Sequence, residues 1–364
     1  MGITRRTFRY SPLALGLLAA ACQSSTAPDL GATFDDEGAL SAYQEMDSIL
    51  ATQTLAAFEA LAGRTPFGGA GAPIAAVRGL ASASGTESGR AYVLSLARAL
   101  QESMTGPAAA PIISDLHRGT TFVYDPDADR YVADPEREDA PATGVRFVLY
   151  EVDLLGKPVV DEEIGYADLV DEGDESAEDV ALSLTAVAHE TTVLEYRITL
   201  DLQASGGTLG VHGALQDEVG RRLDFDIDLT AAKTGAQTLL DIAFELRIDA
   251  RDFSIVGTLS GIENAFEEDG SIEIIARHQD DSIRLDVTGS AGQLDGSVFV
   301  NGALFATVTG DASNPTIASA TGDPLTLGEW LVLRHIVDGA EDVFDFIEDL
   351  VDPVDELVLL AIIL

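Results

Sequence analysis

The sequence predicts an α+β fold: a large, curved antiparallel β-meander of about 10–13 strands with N- and C-terminal helices packed on its apolar face. Three observations lead there. Apolar and polar residues alternate through most of the middle of the chain, and a period of two belongs to strands with one wet and one dry face. Short Gly, Asn and Asp turn signals separate those runs, so neighbours in sequence should pair in space. Apolar residues at helical spacing are confined to the two ends, where they can supply a cover for the dry face.

The first element is a leader. Thr4-Arg5-Arg6-Thr7-Phe8 and Arg9 precede an apolar run, Leu13 to Ala21, and then Cys22, the single cysteine. A basic start and a short apolar run form an export signal, and the run falls well short of the roughly 20 residues of a spanning helix. Leu18-Ala19-Ala20-Ala21-Cys22 resembles the bacterial lipoprotein signal. That resemblance implies that residues 1–21 are removed and Cys22 is lipidated as the new N-terminus. The family's usual leucine three places before the cysteine is Ala19 here, with Leu18 one place earlier. Thr4 to Phe8 also resembles the twin-arginine signal, a receptor-read address, which implies folding before export. Gln23, not aspartate, follows the cysteine, and within this resemblance that points to the outer membrane. The expected address is the bacterial cell envelope, with the membrane held through Cys22. Once the leader is gone no second cysteine remains, so stability rests on the apolar core and not on disulfides.

Residues 22–36 lack periodicity and read as a tether. A helix starts at Asp35 or Asp36, whose carboxylate can accept from the first free amides. Leu40, Tyr43, Ile49, Leu50, Phe58 and Leu61 continue it at helical spacing to a close at Gly63. Residues 65–90, rich in Gly, Ala and Ser, read as loop. A second short helix near 91–104 carries Val93, Ala97, Leu100 and Met104, and Pro107 and Pro111 end it.

From Leu116 the period becomes two. Phe122-Val123-Tyr124 and Arg130-Tyr131-Val132 flank an acidic turn, and strands follow at 145–152 and 164–169. Alternation is strongest over 194–202, 223–229, 240–248 and 283–287, as in Leu223, Phe225, Ile227 and Leu229 against Asp224, Asp226 and Asp228. Asn301-Gly302 between two apolar triplets is a two-residue hairpin signal. One wet face per strand indicates antiparallel sheet, not a doubly covered parallel one. Trp330, Leu333, Val337, Phe344, Ile347 and Val351 form a final helical stripe, which Gly339 divides and Pro353 ends. Leu357 to Leu364 is an apolar tail that packs into the core. The expected organisation is 1–21 leader, 22–36 tether, 37–106 N-terminal helical region, 107–324 sheet and 325–364 C-terminal helical region. Residues 37–364 are expected to fold as one unit.

Charge narrows the function. The chain carries 62 acidic and 21 basic residues, a net charge of −41. The leader takes Arg5, Arg6 and Arg9 and no acid, so the chain without it is more acidic still. Phosphate binding needs Lys and Arg clusters, and Lys157 and Lys233 are the only lysines; nucleic acid is excluded as a partner. Anionic lipid headgroups are disfavoured for the same reason. A solvated acidic surface that keeps the chain soluble accounts for the balance.

Few motifs carry chemistry. Asp125, Asp127, Asp129 and Glu136 stand at positions 1, 3, 5 and 12 of a calcium-loop pattern, with Val132 at position 8. Oxygen ligands at that spacing suit a hard cation, so these four residues are the candidate calcium ligands. Arg130 holds the place where that loop requires glycine, and an acidic hairpin tip is the simpler account of the same residues. His117, His189, His212, His278 and His335 are scattered without ligand spacing. His189-Glu190 opens like a zinc-protease motif, but Val193 occupies the second histidine's place. There is no nucleophile elbow, phosphate loop or dinucleotide fingerprint.

Three functions fit these observations. One is a non-catalytic structural or protein-binding module of the envelope, with a filled core. Another is a carrier of a lipid or other apolar ligand held between sheet and helices; a curved sheet covered by helices looks like periplasmic lipid-carrier lipoproteins in architecture, without a shared motif. Its walls would be dry-face residues such as Tyr196, Ile198, Phe225, Ile227, Phe244 and Leu246. The third is an exported hydrolase, whose site would be a polar cleft of converging acids or histidines.

Overall fold

In the computed structural model the alternating segments become, among the described residues, fifteen strands of one open sheet. It describes residues 36–66, 92–93, 95–97, 99–100, 112–173, 180–203, 206–234, 237–262, 269–290, 292–311, 314–321, 325, 330, 333 and 344–354. The leader, Cys22, the tether, His335 and the tail from Leu357 lie outside the described residues.

The strands are β1 Thr120–Asp125, β2 Arg130–Ala133, β3 Gly144–Val152, β4 Pro158–Asp171, β5 Val180–Ala188, β6 Thr191–Gln203, β7 Gly206–Gln216 and β8 Arg222–Thr234. They continue as β9 Gln237–Ile248, β10 Phe253–Ile262, β11 Asp269–His278, β12 Asp281–Ser290, β13 Gln293–Val300, β14 Ala303–Asp311 and β15 Asn314–Ser319. From β15 back to β3 the spatial order is the chain order, and then come β1 and β2.

Two expectations about the sheet need correction. The count exceeds the predicted range because β5, β7, β10, β11 and β15 lack clean alternation. In β7, Gly207, Gly210 and Gly213 interrupt it, and in β10 Gly257 and Gly261 do. Gly257 nonetheless sits on the dry face, because the Phe244 ring of the neighbouring strand lies across it. A side-chain carbon added there would stand 2.4 Å from that ring. The sheet is also not antiparallel throughout. The β1–β2 hairpin attaches by a parallel pairing of β1 to β3, with Thr120 opposite Val145. A long connection through residues 134–143 makes that parallel step, where a tight turn could not.

Dry and wet faces separate as their residue types require. Leu223, Phe225, Ile227 and Leu229 are buried while Asp226 is exposed, and β9 buries Leu240, Ile242, Phe244, Leu246 and Ile248 in the same way. The Asn301-Gly302 turn has positive φ at both residues (49° and 79°), as its hairpin type demands. His189-Glu190 makes the same turn without a glycine, at φ 49° and 65°.

The predicted long N-terminal helix divides into α1, Asp36–Leu50, and α2, Gln53–Glu59. Thr52 starts the second, its hydroxyl accepting from Leu55 N at 3.4 Å. Residues 344–351 are helical, followed by a 3₁₀ turn over Asp352–Val354.

The chain clusters into two compact units. The first holds Ser48–Ala231 and the stretch from Asp345; the second holds α1 up to Asp47 and Ala232–Phe344. In the first unit, Tyr131 N donates to Arg64 O at 2.8 Å, so the segment after α2 covers part of the outer edge of β2. Asp171 ends β4 with a fully buried carboxylate. Its Oδ2 accepts from Ile112 N, Ile113 N and Arg118 Nη2 at 2.9, 3.3 and 3.2 Å. In the second unit, Arg251 Nε donates to the buried Glu45 carboxylate at 2.6 Å, tying the β9–β10 connection to α1.

Candidate functional site

The four calcium candidates lie around the β1–β2 turn, in the first unit. Asp125 Oδ1 accepts from Asp127 N at 2.9 Å and Ala128 N at 3.3 Å, the usual work of an aspartate opening a turn. Asp129 is left-handed (φ 48°) and closes the turn. Its Oδ1 accepts from Tyr124 Oη at 2.6 Å and Arg64 Nε at 3.3 Å, and Lys157 Nζ stands 3.6 Å from Oδ2. The Tyr124 hydroxyl, with Arg64 and Lys157, holds the Asp129 carboxyl below the usual carboxylate range. Burial, with that carboxylate beside it, pushes the Tyr124 hydroxyl up. Glu136 follows β2 in an exposed turn, where its backbone N–H donates to Asp134 Oδ1. Two cations, Arg64 and Lys157, thus sit against the Asp129 oxygens. Among the described residues, no three His, Cys, Asp or Glu side chains gather to hold a metal ion.

The six candidate cavity-wall residues are all buried. Tyr196, Ile198, Phe225 and Ile227 belong to the first unit, Phe244 and Leu246 to the second. What meets them in the first unit is aromatic. Phe58 of α2 stands edge-on to Tyr196 at 6.2 Å between ring centres, Tyr196 lies 6.3 Å from Phe225, and Phe346 stands edge-on to Phe225 at 5.1 Å. The Tyr196 hydroxyl, which burial keeps protonated, donates to Leu350 O at 2.6 Å. One hydrogen bond and two perpendicular ring contacts thereby bind α2 and helical residues 344–351 to strands β6 and β8. Alternation in the sequence showed which strand residues are dry, but not which rings would meet them.

A shallow depression of about 570 Å³ opens where β4 passes the β5–β6 turn. Glu163, Tyr166, His189 and Glu190 line it. Glu163 is already engaged by Arg137, whose Nη1 and Nη2 donate to its two oxygens at 2.9 and 2.8 Å. The zinc-protease-like pair His189-Glu190 sits on a hairpin turn, not on the helix such a motif needs. No protein-family model, curated protein or solved structure matches this chain.

Proposed function

We propose that this protein is a membrane-tethered lipoprotein of the bacterial envelope, held through Cys22, whose body is a non-catalytic structural or protein-binding module. Terminal helices cover the dry face of the sheet. The observation that carries this reading is the aromatic chain Phe58, Tyr196, Phe225 and Phe346, sealed by the Tyr196–Leu350 hydrogen bond. It favours a module over a lipid carrier, because these side chains fill space that an acyl chain would need. The acidic surface suits a soluble body standing off a membrane.

Two measurements test it. The full chain is expressed in a bacterial envelope and its mass compared under native and denaturing conditions, with lipid extraction alongside. A lipid-modified Cys22 and otherwise equal masses support the module. A stoichiometric apolar species lost on denaturation overturns it in favour of the carrier. In parallel, Cys22→Ala is expected to release the protein from the membrane fraction; retention of that variant would refute the anchor.

A further inference from the structure

The wet face of the first unit holds a histidine that the strand pairing sets between two carboxylates. His212 on β7 faces β8, and its Nδ1 lies 2.8 Å from Asp226 Oδ1. A carboxylate only accepts, so Nδ1 donates in this pair, and Nε2 is the ring nitrogen left to face a ligand. That nitrogen points back along the strand over Gly210, which lies beside Thr199 of β6. A side-chain carbon at position 210 would stand 2.5 Å from His212 Nε2, 2.7 Å from Thr199 Oγ1 and 3.1 Å from Asp228 Oδ1. An imidazole nitrogen, a hydroxyl and a carboxylate oxygen therefore converge above a bare backbone, in space that any residue but glycine would close.

The separations suit a metal better than a direct contact. His212 Nε2 and Asp228 Oδ1 are 3.9 Å apart, too far for a hydrogen bond. Donors each about 2.1–2.2 Å from a shared ion would span that gap at an angle of about 125–135°, a modest opening of a tetrahedral site. Asp226 behind the ring completes the carboxylate–histidine arrangement that orients metal-bound imidazoles. Arg197 of β6, paired opposite His212, has its guanidinium held by Glu172 at 3.0 Å. Asp226 and Asp228 on one strand face add negative potential that concentrates cations, while Asp224 beside them is paired with Arg222 at 2.9 Å.

We propose that His212, Asp228 and Thr199, over Gly210, bind a divalent transition-metal ion of the zinc, copper and nickel class, with Asp226 orienting the imidazole. A nitrogen donor selects these ions over calcium and magnesium. Two strong protein donors, a hydroxyl and water make an exchangeable site on a half-exposed surface, not a structural one. Strand pairing assembles it, since the donors His212 and Asp228 are 16 residues apart in sequence and their spacing resembles no metal motif.

The test uses the full chain, freed of metal by chelation and titrated with zinc at physiological ionic strength. Calorimetry reads affinity, and carbon–proton spectra of the histidine rings read which ring responds. The expected result is saturable binding of one ion, with His212 signals shifting in step. His212→Ala and Asp228→Asn should each weaken binding by at least about tenfold, and Asp226→Asn by a similar factor. His212→Gln is the second variant should alanine unsettle the strand. The proposal is overturned if the His212 variants titrate like the wild type, which would mean diffuse binding to an acidic surface. Unmoved His212 signals up to about 1 mM zinc would overturn it equally.

Discussion

Phe346→Ala probes whether residues 344–354 are bound firmly to the sheet or merely lie near it. The ring is 2 % exposed and stands edge-on to Phe225 at 5.1 Å. Removing a buried phenyl forfeits about 150–200 Å² of apolar burial, worth about 4–5 kcal/mol at 25 cal/mol per Å². Partial collapse of the cavity recovers some of this, and Phe→Ala changes in cores cost about 3–5 kcal/mol. We therefore expect a loss of about 4 kcal/mol, large against the roughly 5–15 kcal/mol that holds a domain together. Urea unfolding followed by near-ultraviolet circular dichroism measures it, with Leu155→Ser as control, since that side chain is 82 % exposed and should change stability by no more than about 0.5 kcal/mol. Phe225→Ala combined with Phe346→Ala should fall short of additivity by about 1 kcal/mol, the worth of an edge-to-face pair. A loss below about 1 kcal/mol for Phe346→Ala alone would show that the segment is not part of the core, and the filled-core argument would fail with it.

Tyr196→Phe removes the donor to the buried Leu350 O and should cost about 0.5–1.5 kcal/mol in the same unfolding assay. Gly257→Ala sets a methyl against the Phe244 ring and should cost about 1–3 kcal/mol, whereas a neutral result would mean the ring has another place to go. Asp171→Ala withdraws a partner of Arg118 and of three backbone N–H groups, those of Ile112, Ile113 and Gly173; a loss of about 3–5 kcal/mol is expected. Asp217 sets an acid dependence: burial pushes its carboxyl up, but hydrogen bonds from Arg221 and Val219 outweigh that and leave it below its ordinary value. A depressed carboxyl contributes stability that is full above its unfolded pKa and is lost as pH falls through the folded one. Asp217→Asn should therefore lower the melting temperature near neutrality and flatten its decline in acid, and an unchanged acid limb would refute the assignment.

The sheet was legible wherever one face reads as Leu, Ile, Val or Phe, as in β6, β8, β9 and β12. It was hidden where glycine takes a dry position. Gly257 is filled by a ring from the next strand, and in β7 Gly213 lies so close to the Glu195 carbonyl that a side-chain carbon would stand 2.2 Å from it. Both are facts about a neighbour, which a period count along one strand does not contain. The break between α1 and α2 was missed because Thr52 caps within an apolar rhythm that runs on past it. Around Asp125 and Asp129 the acidic spacing was visible, but the partners Arg64 and Lys157 come from segments 65 and 28 residues away from Asp129. His212 shows the same limit, its neighbours being set by β6–β7–β8 pairing and not by spacing.

From β3 to β15 every pairing joins strands adjacent in the chain, while the parallel union of β1 with β3 must close across its own hairpin and residues 134–143. Mostly local closure gives a low contact order for a β protein, and so quick folding for its size, with the β1–β3 union the slow step. Each hairpin from β3 onward can therefore close once its second strand has left the ribosome, without waiting for a distant partner.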